Sequence, residues 1–67
     1  MTVREMIESL RVNTNVNLRE DNNHVIAFDS YDYEGVKDEL LDKQVYDWGV
    51  LNRGDIFINF KSEVENG

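Results

Sequence analysis

The sequence predicts an α+β domain with the element order α-β-β-α-β-β, in which two short helices pack on a mainly antiparallel sheet of about four strands. Three observations lead to this fold class. Apolar residues near the N-terminus recur with a helical period, those in later segments follow a strand period, and clusters of Asn, Asp and Gly separate the segments. We expect residues 1–61 to form a single domain and residues 62–67 to form a frayed C-terminal tail.

The first helix is predicted over about residues 3–11. Thr2 and Glu5 have the spacing of a capping box, in which each side chain accepts a hydrogen bond from the other residue's main chain. The apolar residues that follow have the spacing of one helix face: Val3, Met6, Ile7 and Leu10.

A β-hairpin is predicted over residues 15–29. Polar and apolar residues alternate over 15–19, as in a strand with one face in water, and residues 24–28 return as the second strand. Between them, Glu20-Asp21-Asn22-Asn23 is typical of a turn, because Asp and Asn tolerate left-handed conformations.

A second helix is predicted over about residues 34–42, after a polar stretch. Asp32 or Ser30 would cap it, and Glu34 would lie in its first turn against the helix dipole. Its apolar side would carry three residues: Val36, Leu40 and Leu41.

Two further strands are predicted over residues 45–51 and 55–61. The tripeptide Asn52-Arg53-Gly54 between them has a tight-turn composition. Arg53-Gly54-Asp55 also matches an integrin-adhesion motif, but we interpret it as part of this turn.

The patterns of all six elements together predict one hydrophobic core. Its members are Val3, Met6, Ile7, Leu10, Val16, Leu18, Ile26, Phe28, Val36, Leu40, Val45, Ile56, Ile58 and Phe60. The order of the strands in the sheet does not follow from the sequence. A four-stranded sheet has two edges, and an unpaired edge is a route to a homodimer or to a partner's strand.

Composition restricts the class of protein. The chain has 67 residues, no cysteine and a formal net charge of −7. A domain this small buries little surface, so association with another chain would add stability. The lack of cysteine and of any apolar run of membrane-spanning length predicts a cytoplasmic protein. The negative charge disfavours direct binding to nucleic acid or to anionic membranes.

No catalytic, cofactor-binding or metal-binding constellation is recognisable, and we expect a protein that is not an enzyme. His24 is the only histidine, and its position after a turn is typical of an exposed strand end. The carboxylates around residues 29–38 would suit a hard cation. However, Tyr31 and Tyr33 occupy the alternate positions that a calcium loop requires, so a solvated helix start is the simpler interpretation. The glycines are too scattered for a phosphate-binding loop.

Residues 29–43, here called the acidic segment, contain six acidic residues and two lysines, a local net charge of −4. Aromatic residues lie among these and nearby carboxylates, and Tyr and Trp are enriched at binding hot spots. The predicted partner-binding residues are Asp29, Tyr31, Asp32, Tyr33, Glu34, Asp38, Glu39, Asp42 and Trp48. One hypothesis is a protein-interaction domain that binds a basic protein surface or a second copy of itself. The other is an inhibitor that mimics nucleic acid and blocks a host or defence enzyme. The acidic residues would serve only solubility if neither holds.

The layout resembles a class of very short phage and prophage hypothetical proteins of Gram-positive bacteria. The residues that carry the resemblance are the opening helix from Thr2 to Leu10, the Leu40-Leu41-Asp42-Lys43-Gln44-Val45 helix end, and the closing strand from Asp55 to Phe60. The resemblance implies an accessory protein of a mobile element and is compatible with inhibition of a host factor. It implies no particular activity, cofactor or site residue.

Overall fold

Helix α1 spans Val3–Ser9 and begins at the predicted capping box. The structure, a computed structural model, describes residues 1–61 apart from the side chain of Arg53, so the predicted tail at 62–67 lies outside the described residues. The Glu5 N–H donates to Thr2 Oγ1 at 3.1 Å, and the Thr2 N–H donates to Glu5 Oε1 at 2.9 Å. The helix ends earlier than predicted, because Leu10 is already extended.

Strands β1 (Asn15–Glu20) and β2 (Asn23–Asp29) form the predicted hairpin. Its two turn residues, Asp21 and Asn22, have φ of 52° and 71°. Two consecutive left-handed residues are typical of a type I′ turn, whose twist matches that of the flanking strands.

The last strand holds this turn in place. The Asn22 N–H donates to Asn59 Oδ1 at 2.9 Å, and Asn59 Nδ2 donates to Asn22 Oδ1 at 3.3 Å. The Asp21 N–H donates to the Phe60 carbonyl at 2.9 Å. The buried amide of Asn59 is thereby satisfied, which offsets the cost of removing it from water.

Helix α2 is shorter than predicted and spans Asp38–Leu41. The chain before it forms a turn, in which the Val36 N–H donates to the Tyr33 carbonyl at 3.1 Å, and Lys37 is extended. The expected start at residue 34 and the expected caps, Asp32 or Ser30, are therefore wrong. The N-cap position is Lys37, which provides no side-chain cap, and Ser30 Oγ accepts a hydrogen bond from the Thr14 N–H instead.

Strands β3 (Asp47–Val50) and β4 (Ile56–Phe60) form the second hairpin. A short 3₁₀ helix at Asn52–Gly54 connects them, so Arg53 lies in a turn as predicted. Gly54 has φ of 83°, a conformation that glycine adopts without steric cost.

The four strands form one mixed sheet in the order β2-β1-β4-β3. Both hairpins are antiparallel, and the central strands β1 and β4 are parallel, with Val16 opposite Ile56 and Leu18 opposite Ile58. The fold is therefore α+β with a mostly antiparallel sheet, as predicted. β2 and β3 are the two edge strands, on opposite sides of the sheet.

The core lies between the helices and one face of the sheet. Nine predicted residues are buried there: Val3, Met6, Ile7, Val16, Leu18, Val36, Ile56, Ile58 and Phe60. The other five are partly buried and pack against them: Leu10, Ile26, Phe28, Leu40 and Val45. The core prediction omitted Leu41, which is buried, because the short α2 turns Leu41 rather than Leu40 fully inward.

The N-terminus is joined to the chain that follows α2. The Val3 N–H donates to the Lys43 carbonyl and the Val45 N–H to the Met1 carbonyl, each at 2.9 Å. These main-chain bonds hold α1 beside the segment that leads into β3.

Candidate functional site

The acidic segment follows the edge strand β2 and includes α2. Asp29 ends β2, and the turn after it carries Tyr31, Asp32, Tyr33 and Glu34. Asp38 and Glu39 form the first turn of α2, and Asp42 is its C-cap residue. Eight of the nine predicted partner-binding residues therefore belong to one continuous stretch of chain, and Trp48 does not.

Tyr31 is the most exposed aromatic residue of this segment. The residue is 64% exposed, and its main-chain N–H donates to Asp29 Oδ1 at 3.0 Å. Its hydroxyl donates to the Arg11 carbonyl at 3.1 Å. Because both ends of the residue are hydrogen-bonded, the ring is presented to solvent with little freedom to lose on binding.

Tyr33 has a different role. It is half-buried against the hydrophobic core, and its hydroxyl donates to Glu8 Oε2 at 3.4 Å. Its ring therefore packs between the turn and the core, and its hydroxyl reaches α1. Little of Tyr33 is left for contact with a partner.

Arg4 of α1 reduces the charge at one end of the segment. Its Nη2 lies 3.1 Å from Asp42 Oδ1 and 3.6 Å from Asp38 Oδ1. The pKa of the guanidinium is raised above its ordinary value, mainly by the hydrogen bond to Asp42. Two of the six carboxylates of the segment are therefore paired with a cation of the same chain.

A shallow groove runs between β2 and the chain around α2. It has a volume of about 310 Å³ and is lined by Val25, Ile26, Gly35, Lys37, Glu39 and Leu40. Glu39 thus lies beside the β2 edge of the sheet, and the acidic segment borders that edge.

Trp48 lies on β3, at the opposite edge of the sheet. It is 53% exposed and does not fill the edge of the core. Beside it lies Val50, 69% exposed, which the sequence-based site did not include. The alternation of Trp48 and Val50 about Gly49 was the signal available in the sequence, since alternate strand residues share a face.

His24 is exposed on β2, and its Nδ1 lies 2.8 Å from Asn17 Oδ1 on β1. Within residues 1–61, no three or more His, Cys, Asp or Glu side chains are grouped so that they could hold a metal ion. The same described residues contain no helix with the length and apolar character needed to cross a membrane.

Comparison with known proteins assigns no family. No family model matches the sequence, and no curated protein or solved structure is significantly similar to it.

Proposed function

We propose that this chain is a small, acidic, non-enzymatic protein-interaction domain. Its acidic segment binds a basic surface of another protein, and its other partner is a second copy of the chain, bound through a sheet edge. The resemblance to short phage and prophage proteins supports a role as an accessory protein of a mobile element.

The observation that carries this proposal is the position of Tyr31. The ring of Tyr31 is exposed, while its main-chain N–H and its hydroxyl are both hydrogen-bonded, and it belongs to the acidic segment that follows the edge strand β2. A rigid aromatic residue contributes contact area at low entropic cost, and the surrounding charges orient and accelerate the encounter with a basic surface.

The surroundings of His24 support a role without catalysis. The imidazole is paired with the amide of Asn17 at the exposed start of β2. General acid-base catalysis needs a histidine within hydrogen-bond reach of a nucleophile or substrate proton. The partner of His24, the Asn17 amide oxygen at 2.8 Å, is neither a nucleophile nor an acid or a base.

The second hypothesis, mimicry of nucleic acid, depends on an uncompensated row of negative charges. Arg4 lies against Asp38 and Asp42, which interrupts such a row along α2. Glu34 and Glu39 remain exposed. These ion pairs favour docking on a protein surface over imitation of a phosphate backbone.

The test is affinity capture with the immobilised full chain from a lysate of a Gram-positive bacterium, quantified by mass spectrometry. We expect a basic protein to be captured by the wild-type chain, less strongly as salt increases, and not by the double variant Glu34→Lys/Glu39→Lys. The variant Tyr31→Ala should also weaken capture.

The matched control is Asp47→Lys/Asp55→Lys, which makes the same change in net charge in and beside the β3–β4 hairpin and should retain capture. Equal loss in both double variants would show a dependence on net charge alone and contradict a site at the acidic segment. Displacement of the captured protein by excess duplex DNA would instead support mimicry, because both ligands would then occupy one cleft.

A further inference from the structure

Strand β3 exposes two apolar side chains on the face of the sheet that carries the helices. Trp48 lies opposite Ile58 and Val50 opposite Ile56, and cross-strand partners point to the same side of a sheet. Ile56 and Ile58 are buried, whereas Trp48 and Val50 are 53% and 69% exposed. The helical layer therefore covers β4 and leaves the side chains of β3 uncovered.

Among residues 1–61, β4 is the only strand that pairs with β3, and no described strand lies along the outer side of β3. The Leu51 N–H donates to the Asp55 carbonyl at 2.6 Å. Because hydrogen bonds alternate along an antiparallel pair, Gly49 faces β4, and the polar main-chain groups of Trp48 and Val50 face outward. In agreement, the Trp48 N–H donates to the side chain of Asp47, Oδ1, at 2.9 Å rather than to β4.

We propose that a second copy of this chain occupies the β3 edge, with the two β3 strands antiparallel about a two-fold axis at Gly49. This register places Trp48 of each copy opposite Val50 of the other, on the helix-bearing face. The outward main-chain groups of Trp48 and Val50 then bond to those of the second copy. The inference specifies one partner of the proposed function and rests on it.

The chemistry of the edge fits a second copy because it is self-complementary. A two-fold axis at Gly49 creates two equivalent contacts, each between the large Trp48 of one copy and the smaller Val50 of the other. It also places the two Gly49 residues opposite each other, where larger residues would bring two side chains into contact. The chain has a net charge of −7, so close contact between copies is opposed by repulsion. The acidic segment begins after β2, at the far edge of the sheet, and Glu39 lies beside that edge, so the charges of this part of the segment are kept away from the contact.

Asp47 restrains this association. Its carboxylate accepts the hydrogen bond from the Trp48 N–H, which in the dimer would donate to the second copy. Charged residues on edge strands commonly protect a sheet against such pairing. The strand is also only four residues long. We therefore expect a weak dimer that forms at high protein concentration and that Asp47→Ala strengthens several-fold.

The test combines sedimentation equilibrium with tryptophan fluorescence of the full chain over a wide range of concentrations. Trp48 is the only tryptophan, so its emission reports directly on this edge. We expect the mass to rise towards that of two chains and the emission to shift to shorter wavelength at the same concentrations, because Val50 of the second copy covers the indole.

Val50→Lys should abolish both changes. The matched control is Val12→Lys, since Val12 is 65% exposed and lies outside the strands, and this variant should behave as wild type. Thermal unfolding of both variants establishes that they are folded. The mass of one chain at every concentration, or a dimer that Val50→Lys leaves unchanged, would overturn the proposal.

The same samples separate this inference from the proposed function. Val50→Lys should still capture the basic partner through the acidic segment. Loss of the dimer with intact capture supports both proposals, whereas capture by a chain that never dimerises refutes only the second copy at β3. A dimer that Val50→Lys abolishes, together with failure of capture at the acidic segment, refutes only the basic partner.

Discussion

Single residues decide how closely neighbouring strands pack in this small sheet. An added Cβ at Gly49 would lie 2.7 Å from Phe57 Cε2, so the absence of a side chain on β3 lets the Phe57 ring lie over it. Arg19 Cζ is 4.7 Å from the centre of the same ring, a cation–π contact. Gly49 thus allows an aromatic side chain to cover the sheet face that carries no helices.

We predict that Gly49→Ala destabilises the protein by about 1–3 kcal/mol, because the Phe57 ring must move to accept the methyl group. Chemical denaturation in urea would measure the change in the free energy of unfolding. Gly35→Ala is the control, since an added Cβ there meets no atom within 4 Å and Gly35 has no positive φ. A loss of stability as large for Gly35→Ala would contradict the steric explanation.

At the scale of elements, the capping box is the strongest local determinant of α1. The helix has only seven residues, too few to be stable alone in water, so its first turn depends on Thr2, Glu5 and the core beneath it. The sequence predicted this start from the residue types alone, because a capping box is entirely local.

Thr2→Ala is predicted to lower the free energy of unfolding by about 1 kcal/mol, because the Glu5 N–H loses its acceptor. Thr2→Ser keeps the hydroxyl and should remain within a few tenths of a kcal/mol of wild type. Thermal or urea unfolding of the two variants side by side measures the difference, and equal effects would point to lost packing of the Thr2 methyl group instead.

Local patterns predicted the other elements with unequal success. The first hairpin was predictable because alternation and turn residues coincide at Asp21 and Asn22. The start of α2 was not predictable. Val36 is buried although it lies in a turn before the helix, and in the sequence such an apolar residue resembles the first position of a helix face. The strand order could not be predicted, since the parallel pairing of β1 with β4 joins segments about 40 residues apart and leaves no local signal.

At the scale of the whole molecule, the two edges of the sheet formed by the described residues differ in chemistry. The β2 edge is followed by the acidic segment, and the β3 edge carries Trp48 and Val50. The sequence pointed to carboxylates and aromatic residues as one surface, because Trp48 also stands beside an acidic residue in the chain. Only the strand order shows that Trp48 and Tyr31 belong to opposite edges.

Charge acts on the molecule as a whole as well as at the acidic segment. Fourteen acidic residues against seven basic ones give excess repulsion in the folded state, and salt screens it over a Debye length of about 10 Å at 0.1 M. We predict that the melting temperature rises as sodium chloride is increased from low ionic strength. Circular dichroism would record it, and Glu34→Lys/Glu39→Lys should show a smaller rise. A melting temperature that falls with salt would mean that attractive ion pairs, such as those of Arg4, dominate instead.

The strand order also sets the valency of any assembly built on β3. Two copies joined at that edge extend one sheet, with β2 at each outer end and an acidic segment beside each β2. If both proposals hold, such a pair would bind a target with two suitably spaced basic patches at both acidic segments at once. Weak individual contacts then combine into slow release, since the second contact forms at the high effective concentration created by the first.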